Sequence, residues 1–90
     1  MLAKNLVIEL SEHQINVNTI APGATLTERT LQDPAYVETW SRITPMGRPA
    51  HTRDIADTAL FLVSEKARHI TGQTIIVDGG WTVVSLPPEI

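Results

Sequence analysis

The sequence predicts an α/β fold in which two parallel strands are joined by a long helical crossover. Three observations carry this. Apolar residues at helical spacing open the chain and lead into a β-branched stretch, Ile15 to Ile20. A capped amphipathic helix follows from Thr52, and a second β-rich run, Thr74 to Val77, comes after it. The order helix, strand, helical crossover, strand is that of a parallel sheet with a right-handed connection. Two strands are too few for such a sheet, which needs helices on both faces and sits inside a larger one. The 90 residues are therefore expected to form a single partial domain, the edge of something larger.

The first helix is predicted from about Met1 to His13. Leu2, Ala3, Leu6, Val7 and Leu10 form its apolar side, and Lys4, Asn5, Glu9, Ser11 and Glu12 fill the other. No Ser, Thr, Asp or Asn precedes it as a cap, so the chain is expected to enter part-way through an element. The strand over Ile15–Ile20 stops before Pro22-Gly23, and a polar loop with Thr25, Thr27, Arg29 and Thr30 follows. "DPAYVETWSRI" forms a short helix with Pro34 in its first turn, and "TPMGRP" is a loop. Thr52 is expected to cap the next helix. Its first turn carries Asp54 and Asp57 at the positive end of the helix dipole, and its apolar set is Ile55, Ala56, Ala59, Leu60, Leu62 and Val63. "HITGQTIIVDGG" reads as a turn at Thr71-Gly72, a strand over Thr74–Val77 and a tight Gly79-Gly80 exit.

Composition narrows the function classes. Hydrophobic residues make up 42% of the chain and charged residues 19%, an ordinary globular mixture. A net charge of -3 with seven scattered Lys and Arg offers no field for nucleic acid. No apolar run approaches bilayer-spanning length, and the start "MLAKNLVIEL" is no signal sequence, so a cytoplasmic location is expected. Without Cys there is no disulfide, thiol catalysis or cysteine metal site.

The polar loop has two physical readings. Hydroxyls and backbone amides from Thr25 to Thr30 can clamp an anion or an amide, or they can form a capped turn with Thr27 as N-cap. Asn16 and Asn18 are read as satisfying neighbouring backbone groups. His13, His51 and His69 lie in separate segments without metal-ligand spacing, and no G-x-S-x-G elbow supports hydrolase chemistry. Arg48 is read as the cation of an ion pair, and Asp78-Gly79-Gly80 as a close backbone approach.

"INVNTIAPGATLT", "PMGRPAHTRDIADTALFLVSEKARHITGQTIIVDGG" and their spacing resemble the C-terminal part of the classical short-chain dehydrogenase/reductase family. The resemblance runs from Leu2 to Gly80. It implies the C-terminal part of a Rossmann-type doubly wound parallel sheet, and an oxidoreductase moving a hydride between NAD or NADP and an alcohol or carbonyl. It also implies that Pro22, Gly23, Thr25 and Thr27 belong to the cofactor loop. Thr25 would meet the nicotinamide carboxamide through its backbone, and Thr27 would hydrogen-bond the carboxamide or a phosphate.

The family's Gly-rich turn and catalytic Ser, Tyr and Lys have no counterpart here. The one tyrosine, Tyr36, is followed four residues later by Trp40. The segment from Glu28 to Met46, with Leu31, Tyr36, Val37, Trp40 and Met46, would grip substrate. On a wheel of about 100° per residue, Ile8 and Phe61 fall in polar arcs of helices resembling the family's subunit-contact helices. With Trp81 they imply a homo-oligomer.

Overall fold

The computed structural model describes residues 2–85. Helix α1 spans Leu2–Leu10 and tightens into a 3-10 turn over Ser11–His13. Met1 and the side chains of Leu2 and Ala3 lie outside the described part. Leu6, Val7 and Leu10 are half-buried and Ile8 is exposed, as the predicted periodicity requires. Gln14 ends the turn in the left-handed region at φ 60°.

The first strand differs from its prediction: β1 covers Thr19–Pro22, not Ile15–Ile20. The asparagines explain the shift. Asn16 Nδ2 donates to the Arg68 carbonyl at 3.0 Å, and Asn18 Nδ2 to that of Ile70 at 3.0 Å. The Gln73 N–H returns a bond to Asn18 Oδ1 at 3.1 Å. Residues 16–18 are thus stapled side chain to backbone against the turn before the second strand, and these bonds replace a ladder. The reading of Asn16 and Asn18 as partners of backbone groups holds.

β1 pairs in parallel with β4, Thr74–Val77, in the register Thr19↔Thr74 to Pro22↔Val77. Ile20 and Ile75 therefore share one face, and Ala21 and Ile76 the other. A second parallel pair, absent from the sequence expectation, joins β2 (Thr25–Leu26) to β3 (Ala50–His51). Two-residue strands carry no periodicity, so only the contact between distant segments reveals them.

Helix α2 is Glu28–Leu31, and α3 is Pro34–Ile43, with Asp33 accepting from the Ala35 N–H at 3.0 Å and Pro34 at the first helical position. Helix α4 spans Thr52–Leu62. Its cap is His51 rather than Thr52: as the last residue of β3, His51 is already extended, so the chain turns helical one residue early. The Asp54 carboxylate accepts the His51 N–H at 2.8 Å, closing the first turn.

α4 packs against β1, and its Ile55, Ala59 and Leu62 are half-buried. Ala56, Leu60 and Val63, expected in the same apolar stripe, are exposed, Leu60 by 65% and Val63 by 83%. The stripe is wider than the surface offered to it. A 3-10 turn at Glu65–Ala67 leads to β4, and a last helix α5 covers Trp81–Val84.

The core is correspondingly thin. Ile43, Ala67, Thr44 and Pro49 are the buried residues among those described. The accessible surface is 6646 Å², against about 5,200 Å² for a compact chain of this 9.9 kDa mass. The radius of gyration is 15.8 Å, against about 12 Å for a compact domain of this length. Both excesses are those of a partial domain.

Candidate functional site

The carboxyl ends of β1 and β4 lie side by side, and the Pro22-Gly23 turn leaves the sheet there. The Gly23 N–H donates to the Val77 carbonyl at 3.0 Å, extending the ladder by one bond. A Cβ on Gly23 would stand 2.6 Å from Asp78 Cβ and 3.0 Å from its Cα, so only glycine allows this approach. The close contact aims the chain out over the ends of the strands.

Beyond it, Thr25 is bound on all its polar atoms. Its hydroxyl donates to the Gly23 carbonyl at 2.9 Å, and its backbone N–H donates to the Tyr36 phenol oxygen at 3.2 Å. Its carbonyl accepts the Thr30 hydroxyl at 2.9 Å. Thr27 is the N-cap of α2: its hydroxyl accepts the Thr30 N–H at 3.3 Å, and the Thr27 N–H donates to Thr30 Oγ1 at 2.7 Å. Thr27 itself is exposed. The capped-turn reading is therefore realised in the loop, built around Thr30.

Neither Thr30 nor Tyr36 was singled out from sequence as a partner of Thr25. The spacing Thr27-x-x-Thr30 is that of a reciprocal cap and could have exposed the first. Nothing local marks Tyr36, which reaches the loop from α3.

On the β4 side, Gly79 and Gly80 have φ of +64° and +95°, conformations that strain any other residue. The Met46 N–H donates to the Gly79 carbonyl at 3.1 Å, drawing the Thr44–Arg48 segment over the turn. The Asp78 carboxylate accepts the N–H of Gly80 at 2.9 Å, the N–H of Thr82 at 2.8 Å, and the Thr82 hydroxyl. The Thr82 hydroxyl above all, then the backbone N–H groups, hold this carboxyl below its usual range.

The turn sets α5 so that Trp81 meets Trp40 edge-on, ring centroids 5.5 Å apart, and Trp40 meets Tyr36 at 6.3 Å. Trp81, expected at a subunit contact, is thus half-buried against its own chain.

Arg48 pairs with Asp54 at 3.2 Å beside a cavity of about 250 Å³ lined by Met46, Ala50, Val77 and Gly79, which bears out the ion-pair reading. The His51 N–H, then Arg48, lower the Asp54 pKa. With Asp54 and Asp78 both held ionised, neither is poised as an acid or base near neutral pH. The hydroxyls and backbone groups can recognise an amide or an anion; they do not by themselves move a hydride or a proton. Among the described residues, no group of three His, Cys, Asp or Glu side chains could hold a metal ion. Among the same residues, no helix is long and apolar enough to cross a membrane.

Known proteins match this arrangement. The family model described as enoyl-(acyl carrier protein) reductase matches residues 1–82. The chain belongs to the short-chain dehydrogenase/reductase family. A galactitol 2-dehydrogenase (L-tagatose-forming) of Cereibacter sphaeroides is 44% identical over 85 residues, covering 91% of this chain and 34% of the relative. The structure superposes on a 4-hydroxyisoleucine dehydrogenase complexed with NADH, with a TM-score of 0.80, 30% identity, and coverage of 91% of this chain and 35% of that one. It also superposes on YwfH, an NADPH-dependent reductase involved in bacilysin biosynthesis, with a TM-score of 0.80, 36% identity, and coverage of 89% and 35%.

This member of the short-chain dehydrogenase/reductase family spans about a third of the length of the curated relatives it matches. Its β1–β4 pair is part of a Rossmann-type sheet.

Proposed function

We propose that the chain forms the nicotinamide-side wall of the dinucleotide site in an NAD- or NADP-dependent dehydrogenase or reductase that interconverts an alcohol and a carbonyl. The observation that carries this is the Pro22-Gly23 turn at the carboxyl ends of β1 and β4, with Thr25 and Thr27 just beyond. Ligands of open α/β sheets bind at such strand ends. Relatives that are a polyol dehydrogenase, an NADH-bound dehydrogenase and an NADPH-dependent reductase support the cofactor class.

The acceptor and donor of the loop fit the amide end of the cofactor. The Thr25 carbonyl has a second lone pair beyond the one used by Thr30, and the exposed Thr27 hydroxyl can donate outward. The bound dinucleotide supplies the hydride donor or acceptor. Pro22, Gly23, Thr25 and Thr27 bind and orient it. Tyr36, Val37 and Trp40, half-buried on α3, with exposed Leu31 and Met46, form the apolar wall toward substrate.

The family's Gly-rich turn and catalytic Ser, Tyr and Lys have no counterpart among these 90 residues, so the chain alone should be inactive. Turnover of NADH or NADPH with varied carbonyl substrates is the assay. Activity of the purified chain that disappears on mutating this segment would refute inactivity. In the complete domain, this segment joined to the two thirds its relatives add, Thr27→Ala should weaken dinucleotide binding by about tenfold. Unchanged binding would remove Thr27 from the site.

A second role rests on a separate observation. Ile8 is 79% exposed, and Phe61, Leu60, Val63 and Ile76 also face solvent. Such surface favours self-association, with Ile8 and Phe61 at a homo-oligomer contact. Light scattering that finds a well-folded monomer at micromolar concentration would count against it.

A further inference from the structure

We infer that Tyr36 is an internal competitor of the dinucleotide: its phenol oxygen occupies the Thr25 N–H, a backbone donor of the loop that the cofactor amide would otherwise take beside the Thr27 hydroxyl. The proposal rests on the cofactor reading above and adds a regulatory contact to that site. Thr25 presents two backbone groups at the strand ends, and they differ in capacity. Its carbonyl accepts the Thr30 hydroxyl at 2.9 Å and keeps a second lone pair, so that contact excludes nothing. Its N–H is a single donor and is committed to Tyr36 at 3.2 Å. A ligand oxygen can take that N–H only if the phenol leaves.

The phenol does not move alone. Tyr36 lies in the first turn of α3, its ring lies 6.3 Å from that of Trp40, and Trp40 lies 5.5 Å from Trp81, which the Asp78 turn fixes at the end of β4. Loss of the Tyr36–Thr25 bond therefore frees the first turn of α3, which carries part of the apolar wall, from the loop while Trp40 keeps the helix packed on Trp81. The contact couples occupation of the amide to the position of the substrate wall. The chain's two tryptophans sit at the joint and report it.

The bond is part-buried and joins neutral groups, so it should hold the loop closed in most molecules and reduce apparent dinucleotide affinity about fivefold. Tyr36→Phe keeps the ring and removes only the phenol oxygen. Two measurements test it. Amide exchange by NMR on the chain should show Thr25 exchanging about fivefold faster in the variant, with Thr30 unchanged. Titration of the complete domain with NADH and NADPH should show about fivefold tighter binding in the variant, with a smaller change in tryptophan emission on binding.

Unchanged Thr25 exchange would overturn the latch. Faster exchange with unchanged or weaker dinucleotide binding would show that Tyr36 anchors the loop without competing, and would also overturn it. If neither the natural domain nor the variant binds dinucleotide while Thr25 exchange still responds, the cofactor reading itself fails and the competition with it.

Discussion

The strand ends and the helix flanks of this chain are built to different standards. Around the carboxyl ends of β1 and β4, backbone groups are paired and glycines are packed to contact. Ile43, Thr44 and Pro49 there are buried, although few of the described residues are. On the flanks, Ile8 of α1, Leu60 of α4 and Val63 just beyond it stand in solvent. The difference teaches where the fold is self-sufficient. The site end is made by contacts within these residues, whereas the flanks have apolar area that only further structure or another subunit can cover.

The largest effect that would break this contrast is at Ile43. Its replacement by Ala should cost about 3 kcal/mol in denaturant titration, because a buried side chain leaves a cavity. Leu60→Ala in the isolated chain should stay within about 0.5 kcal/mol. Equal losses at both positions would abolish the distinction. In the complete domain Leu60→Ala should become costly, which would show the flank being covered.

Gly23→Ala should cost about 2 kcal/mol, since its Cβ would lie 2.6 Å from Asp78 Cβ and backbone cannot yield cheaply. A thermal melt measures it, and a neutral result would mean that the strand ends are looser than drawn. Thr27→Ala removes the cap of α2 and should cost about 1 kcal/mol by the same measurement.

The smallest effect is acidic. Asp78 has its carboxyl lowered by the Thr82 hydroxyl and backbone N–H groups, so its contribution is fully present above the ordinary value of 3.8 and is lost as pH falls through the lower folded value. Tryptophan emission should therefore shift below pH 3.8 as α5 loosens and Trp81 leaves Trp40, and Asp78→Asn should remove that step. A shift centred above that pH would assign the transition to another carboxylate.

Much of this fold is legible without coordinates. The helical spacing of Leu6, Val7 and Leu10, the Pro34 start of α3, and the β-branched run Thr74–Val77 each lie within a few residues of chain, and local patterns encode them. The motifs "NTIAPGATLT" and "GQTIIVDGG" place the loop and identify the family. What stayed hidden depends on partners far apart in sequence. The strand begins at Thr19 because Asn16 and Asn18 bond to residues 68 and 70. His51 caps α4 because β3 pairs with β2.

The sequence by itself determined the kind of fold, the family and the polar character of the loop, because periodicity, turn residues and motif spacing are local properties of the chain. Only the tertiary structure decided what each polar group binds. Tyr36 reaches Thr25 across eleven positions, Trp81 turns onto Trp40, and half of the α4 stripe finds nothing to cover. A hydrogen bond needs its donor and acceptor within about 3 Å, and that distance is set by packing rather than by order along the chain.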